Sequence, residues 1–335
     1  MAERIRPSDE VVQDNIKKWN IPQPDREYTV LIHCTTYNHG VFIRDALEGF
    51  VNQKCSYSFC AIIIDDCSTD NNPEIIKEYA EKYPDIIKPI LLGENHMQHG
   101  ILRDPYFEKW HKSAKYIAQC EGDDYWIDPL KLQKQVDFME NHPDYGLIHT
   151  NFDSIPIKRI NSTVPINKDD RYIQEMVDGS YPVGTLTTLY RRSTFVQLPN
   201  LRQKQSFRMG DQPVWIEFAS ISKIKYIEDI TAIYRITENS ASHNKDIEKE
   251  LAFFKSSMEC RNYYAKALGL VNKDQRPWYY HAAMKSAYTH HRADISRDLW
   301  NEAKKSGAAS FRLFVIYAGT QCPFVRVLID TLQKK

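Results

Sequence analysis

Short runs of β-branched and aliphatic residues alternate with amphipathic segments through the first half of this 335-residue chain. The apolar runs predict strands at residues 28–35, 61–65, 86–92, 115–120 and 146–151. Stripes of apolar residues at helical spacing predict helices at residues 41–53, 72–83 and 128–141. Strands that alternate with helices in this way favour an α/β fold, in which a mostly parallel sheet is flanked by helices.

Acidic residues concentrate directly after the second and the fourth predicted strand. Asp65 and Asp66 follow the second strand, and Glu121, Asp123 and Asp124 follow the fourth. Since ligands of parallel sheets bind at the carboxyl ends of the strands, we expect these side chains to meet at one edge. Carboxylates packed together raise one another's pKa, so the cluster favours a hard cation, Mn²⁺ or Mg²⁺. The alternative for the first pair is that it only caps turns.

The composition and the missing motifs exclude several classes of protein. Lys and Arg number 44 and so do Asp and Glu, whereas a nucleic-acid-binding chain usually has a basic excess. Neither a P-loop nor a glycine-rich dinucleotide-binding loop occurs. The seven cysteines form no C-x-x-C pair, which is typical of reduced thiols in the cytosol. No apolar stretch reaches the about 20 residues of a membrane span, and no signal peptide is predicted.

The composition also predicts three regions along the chain. Residues 1–27 form an N-terminal lead-in, residues 28–244 the α/β domain, and residues 245–335 a helical C-terminal appendage. From residue 296 onward seven basic residues stand against three acidic ones, among many apolar side chains. Two interpretations of this tail stay open. It packs against the rest of the chain or a second subunit, as in a homodimer, or it contacts an anionic membrane peripherally.

Three motifs in the α/β domain occur together: TYNHG at 36–40, IIIDDCSTD at 62–70 and CEGDDYWIDPLKLQKQ at 120–135. In this combination the chain resembles the family 2 glycosyltransferases of the GT-A fold, over about residues 28–239. It is similar in particular to a bacterial subgroup with the EGDDYW motif that acts in surface-polysaccharide synthesis. The resemblance implies an inverting enzyme that moves a sugar from a nucleotide diphosphate, UDP being favoured, to a saccharide or lipid-linked acceptor. It also implies a cytoplasmic location, with or without contact to the inner face of the cell membrane.

The resemblance implies that the first two loops bind the nucleotide. Thr35, Tyr37 and Asn38 would line the nucleotide site, with Tyr37 near the base. Asp65 or Asp66 would accept a hydrogen bond from the base N–H, which is the reason for favouring uracil.

The resemblance assigns the remaining roles to residues further along the chain. In the family's D-x-D element, which here begins with Glu121, the first acid faces the ribose. Asp123 is then the metal ligand, and Asp124 lies beside the donor sugar or the acceptor. Asp211, in GDQPVW, is the candidate general base, and a helix N-cap is the alternative role. Relatives carry a metal-binding His where this chain has Thr; His243 is the candidate substitute, and a solvated loop His is the alternative.

Two other functions compete with glycosyl transfer. A sugar nucleotidyltransferase would bind nucleotides on a similar sheet, but that class has a glycine-rich first loop where this chain has TTYNHG. A non-catalytic scaffold of the same fold would not need the intact acids. Metal-dependent hydrolysis of a nucleotide sugar distinguishes the three.

Overall fold

The computed structural model describes residues 4–156, 170–181, 183–237, 239–240 and 243–333. The strands are β1 (Tyr28–Thr36), β2 (Phe59–Asp65), β3 (Ile87–Leu91), β4 (Ala114–Gln119), β5 (Tyr125–Trp126), β6 (Tyr145–Ile155), β7 (Leu189–Arg191), β8 (Lys223–Arg235), β9 (Asn239–Ser240) and β10 (His243–Asn244). The helices before β8 are α1 (Asp9–Lys18), α2 (Ile43–Val51), α3 (Asn72–Lys82), α4 (Asp104–Lys112), α5 (Lys131–Asn141), α6 (Ile173–Asp178), α7 (Arg192–Phe195) and α8 (Asp211–Ile221). Five more follow: α9 (Ile247–Ala267), α10 (Arg276–Thr289), α11 (Ala293–Lys305), α12 (Phe311–Gln321) and α13 (Pro323–Gln333).

An eight-stranded mixed sheet organises the α/β part, in the order β3-β2-β1-β4-β7-β6-β8-β5. β1 pairs in parallel with β2 and β4, β2 with β3, and β6 with β8. β7 runs antiparallel to β4 and β6, and β5 runs antiparallel to β8. Thr36 and Asp65, at the carboxyl ends of β1 and β2, lie opposite each other in this register. The two loops that follow these strands therefore begin side by side.

Several elements differ from the sequence predictions. The sequence did not predict α1, α4 or the 13-residue strand β8, because their apolar residues are too interspersed with charges to mark a buried run. Ala, Lys, Glu and Leu at helical spacing with few breakers predict continuous helix over 278–306, but the structure has α10 and α11 with a break between them. His291 adopts a φ of 57° at that break, a conformation that interrupts a right-handed helix.

The chain divides into two compact units. The described residues of 1–172, 182–200 and 217–235 form the first unit, and those of 173–181, 201–216 and 236–335 form the second. The first has a core of apolar side chains, both aliphatic and aromatic, from the sheet, α2, α3 and α5. The second is mainly helical, and Ile247, Met284, Leu299 and Leu313 contribute to its own buried core. The region boundary predicted at residue 244 stays a prediction.

Candidate functional site

The loop after β4 brings three acidic side chains together. A carboxylate oxygen from each of them lies within 4.8 Å of the others: Glu121, Asp123 and Asp124. Gly122 packs so closely on β1 that a Cβ there would lie 2.6 Å from Thr36 Oγ1. Its amide donates a hydrogen bond to the carbonyl of Thr35 at 3.0 Å. The loop is therefore held against the end of β1, and a larger residue at position 122 would displace the acids.

Asp124 is the buried member of this cluster, with 2% of its surface exposed. Burial raises the pKa of Asp124 to about 8, and the nearby charge of Asp123 adds to the rise. The backbone N–H of Arg235 donates to Asp124 Oδ1 at 2.8 Å and opposes this effect only in part. The charge of Arg235 lowers the pKa of Asp124 by less than burial and Asp123 raise it, so the three carboxyl groups are not neutralised within the protein. The donor set of oxygen ligands thus fits a hard divalent cation such as Mn²⁺ or Mg²⁺.

Arg235, the last residue of β8, holds the acidic loop from one side. Its guanidinium donates a hydrogen bond to the carbonyl of Asp123 at 2.9 Å and pairs with the carboxylate of Asp45. It also lies 4.4 Å from the ring centre of Tyr125 and 5.2 Å from that of Phe42. No sequence motif named above includes Arg235, and 112 residues separate it from Asp123, so only the fold reveals this contact.

His39 approaches the cluster from the loop after β1. Its Nδ1 lies 3.9 Å from Asp123 Oδ1 and, among the described residues, has no hydrogen-bond partner. The carbonyl of His39 accepts the amides of Phe42 and Ile43 at 2.8 Å each, which fixes its backbone at the start of α2. His39 belongs to the TYNHG motif, but the sequence by itself predicts no role for it.

The loops after β1 and β2 are joined through Asn38. Its side-chain oxygen accepts the amide of Thr69 at 2.8 Å, and its own amide donates to Ser68 Oγ at 2.8 Å. Asn38 has a φ of 54°, in the left-handed region that Asn tolerates better than most residues. Tyr37, beside it, is 42% exposed. An exposed aromatic ring on a fixed loop is available to contact a flat ligand.

Asp65 and Asp66 are both buried and both anchor loops. Asp65 accepts hydrogen bonds from the amide and hydroxyl of Ser68, at 2.9 and 2.5 Å, and from Asn72 Nδ2 at 2.6 Å. Asp66 accepts the backbone amides of residues 96 and 97, at 2.9 and 3.0 Å. These bonds support the turn-forming role that the sequence left open for the pair. A contact of either side chain with a base stays a prediction.

The second half of the motif at 120–135, which follows the acidic loop, contributes buried side chains. Lys131 is fully buried, with Nζ 4.1 Å from the ring centre of Trp126 and 2.7 Å from Gln135 Oε1. Trp126 Nε1 donates to the carbonyl of Leu186 at 2.7 Å, and Gln135 Nε2 donates to that of Thr187 at 2.8 Å. These bonds fix β5 and α5 to the segment that precedes β7. The motif is therefore partly structural.

Burial lowers the pKa of Lys131 from 10.5 to about 7, which gives a prediction for stability. Unfolding between these pH values takes up a proton, because the unfolded lysine is charged and the folded one is largely neutral. The free energy of unfolding of the wild type should therefore rise between pH 7 and 10, relative to Lys131→Met, by up to about 1.4 kcal/mol per pH unit. Urea titrations of both proteins at several pH values measure this difference. Parallel pH profiles would contradict it.

The last two predicted site residues belong to the second unit. Asp211 is the exposed first residue of α8 and belongs to the second unit, and its carboxylate accepts the amide of Gln212 at 2.8 Å. The backbone of His243 lies in β10, and its side chain is outside the described residues. The roles of both residues stay predictions.

Comparison with known proteins points to one enzyme family. A family model described as "Glycosyl transferase family 2" matches residues 32–198. EpsE of Bacillus subtilis, named as a glycosyltransferase, is 30% identical over 211 residues, which cover 61% of this chain and 71% of EpsE. TuaG of the same organism, named as a glycosyltransferase of teichuronic acid biosynthesis, is 28% identical over 226 residues, which cover 64% of this chain and 82% of TuaG.

Other similarities are shorter or concern the fold alone. An uncharacterised protein of Mycobacterium tuberculosis is 45% identical over 109 residues, which cover 32% of this chain and only 31% of that protein. The crystal structure of Staphylococcus aureus TarS 1-349 in complex with UDP-GlcNAc matches with a TM-score of 0.51 at 13% identity. That match covers 88% of this chain and 90% of TarS 1-349. This likeness confirms the predicted fold class, in which a sheet flanked by helices is followed by C-terminal helices.

Proposed function

The chain belongs to glycosyltransferase family 2, and from this premise we propose that it transfers a sugar from a nucleotide diphosphate donor to a growing surface glycan. The observation that carries the proposal is the cluster of three carboxylates after β4, of which Asp124 is buried. Such a cluster has little value for stability without a cation. It suits the binding of a metal together with a diphosphate.

We propose that Glu121, Asp123 and Asp124 hold Mn²⁺ or Mg²⁺. When bound, the ion would act as a Lewis acid that neutralises charge on the departing nucleoside diphosphate. Arg235 keeps the acidic loop in place through the carbonyl of Asp123, so the carboxylates are oriented before the donor arrives. His243 is proposed as an additional ligand.

We propose that UDP is the nucleotide and that the loops after β1 and β2 bind it. The exposed ring of Tyr37 supports this role, because it can stack on a base. Thr35 and Asn38 would line the same site. Asp65 or Asp66 would accept the base N–H through a lone pair that the loop hydrogen bonds leave unused.

We propose an inverting mechanism with Asp211 as the general base. Asp211 would remove the proton of the acceptor hydroxyl as that oxygen attacks the anomeric carbon of the donor. The bond from this carbon to the diphosphate breaks in the same step, so no covalent intermediate with the protein is needed. The acceptor would be a saccharide or a lipid-linked glycan at the cytoplasmic face of the membrane, and the catalytic unit would span residues 28–244. The name of TuaG supports a role in cell-envelope glycan synthesis.

A screen of nucleotide sugars tests the proposal. We expect a UDP-sugar to raise the melting temperature in the presence of Mn²⁺ and to be hydrolysed slowly to UDP and free sugar. Neither effect should survive EDTA. Failure of every nucleotide sugar to bind would favour a scaffold. Formation of sugar 1-phosphate from a nucleotide sugar and pyrophosphate would identify a nucleotidyltransferase.

A further inference from the structure

The last two helices expose large apolar side chains at helical spacing. On α13, Phe324, Val327 and Leu328 are 73%, 63% and 51% exposed. They occupy positions i, i+3 and i+4, so they share one face of the helix. On α12, Phe311 and Phe314 are 81% and 45% exposed and are also three residues apart. We name these five side chains the apolar stripe.

The opposite face of α13 carries the polar contacts to the protein. Arg326 donates to the carbonyl of Tyr288 at 2.8 Å and lies 4.1 Å from the centre of its ring. The hydroxyl of Tyr288 donates to Asp330 at 2.5 Å. A surface helix normally buries its apolar face and exposes its charges. α13 partly buries Val325, Arg326 and Ile329 but leaves three large apolar side chains exposed, which indicates that its outer face meets an apolar medium.

The region that carries the apolar stripe has a basic excess. Residues 296–335 carry a net charge of +4, whereas the whole chain is neutral. Among the described residues of 296–312, four basic side chains (Arg297, Lys304, Lys305 and Arg312) and two acidic ones (Asp298 and Glu302) are exposed. An exposed apolar surface in a region of basic excess is complementary to lipid headgroups of negative charge. If a second copy of the chain covered the stripe symmetrically, two regions with a net charge of +4 each would face one another.

A membrane span does not explain the stripe. α12 and α13 have 11 residues each, and in the described part of the chain no helix is long and apolar enough to cross a bilayer. Helices of this kind lie in the plane of the interface, with the apolar face among the acyl chains. We propose that α12 and α13 bind the surface of an anionic lipid bilayer through the apolar stripe. This proposal goes beyond the catalytic function and does not depend on it.

Flotation with vesicles tests the proposal on the full-length protein. Val327→Asp places a charge in the stripe, and Val196→Asp is a matched control because Val196 is also 63% exposed but lies in the first unit. We expect the wild type and Val196→Asp to float with vesicles of phosphatidylglycerol and phosphatidylcholine. Val327→Asp should bind them about tenfold or more weakly. All three should bind pure phosphatidylcholine poorly.

The exposed Cys322, between α12 and α13, offers a second measurement. Four of the other cysteines are buried and two are partly buried, so an environment-sensitive dye should react first at Cys322. The dye fluorescence should increase with anionic vesicles and not with neutral ones. Cys322→Ser reports any labelling elsewhere.

Several outcomes would overturn the proposal. Equal flotation of Val327→Asp and the wild type would show that the stripe does not bind lipid. A wild-type dimer that Val327→Asp dissociates, with no flotation of either, would show that a second copy covers the stripe. Circular dichroism checks folding, and Phe324→Ser replaces Val327→Asp if that variant misfolds. Asp123→Asn should float like the wild type, so a failure of the proposed catalysis is distinguishable from a failure of membrane binding.

Discussion

Asp123→Asn is expected to lower the rate of sugar transfer by at least about a thousandfold, with loss of the metal-dependent binding of the donor. The substitution keeps the shape of the side chain but removes the charge that a divalent cation needs, an effect worth several kcal/mol in the transition state. Because Arg235 bonds the backbone carbonyl of Asp123, the loop itself should stay in place. The measurements are the Mn²⁺ affinity by calorimetry, the melting temperature with donor and Mn²⁺, and the initial rate.

Asp128→Asn is the matched control for this prediction. Its side chain is 16% exposed, against 19% for Asp123, and it lies five residues further along the same motif. Asp128 Oδ1 accepts the amide of Leu130 at 2.8 Å, a bond that asparagine can also form. Asp128→Asn should therefore keep Mn²⁺ and donor binding. Unchanged Mn²⁺ affinity in Asp123→Asn would remove this residue from the metal site.

Asp211→Asn is expected to lower kcat by about 10²–10⁴-fold, the usual contribution of a general base, and to leave donor binding unchanged. The substitution also separates catalysis from helix capping, because asparagine caps a helix as well as aspartate does. If the only role of Asp211 is to begin α8, the enzyme should tolerate the substitution to asparagine. Steady-state kinetics with saturating acceptor, together with donor-induced shifts in melting temperature, measure both quantities.

Asp246→Asn provides the corresponding control in the second unit. Asp246 is the N-cap of α9, and its Oδ1 accepts the amide of Glu248 at 3.0 Å. Its replacement should leave kcat and melting temperature close to the wild-type values. If Asp211→Asn behaves in the same way, Asp211 is not the base, and the proton acceptor must be sought among other acids.

The amino-acid sequence alone was sufficient to predict the fold class and the strand after which the acidic residues gather. Strand-forming runs in β1, β2 and β4 are continuous and buried, so their apolar character identifies them. Parallel strands place their carboxyl ends at one edge, which is why acids that follow two strands could be expected to lie near the ligand. The structure brings Glu121, Asp123 and Asp124 together in the loop after β4, and their contact with a ligand stays a prediction.

Partners that are distant in sequence required the tertiary structure. Arg235 contacts Asp123 only because β8 and β5 pair in the sheet, and no local pattern encodes that pairing. The approach of His39 to Asp123 depends in the same way on how two loops pack. The sequence also marks α13 as amphipathic without saying which face is buried. The hydrogen bonds that join Arg326 and Asp330 to Tyr288 show which face of α13 meets the protein. They leave Phe324, Val327 and Leu328 exposed on the opposite face.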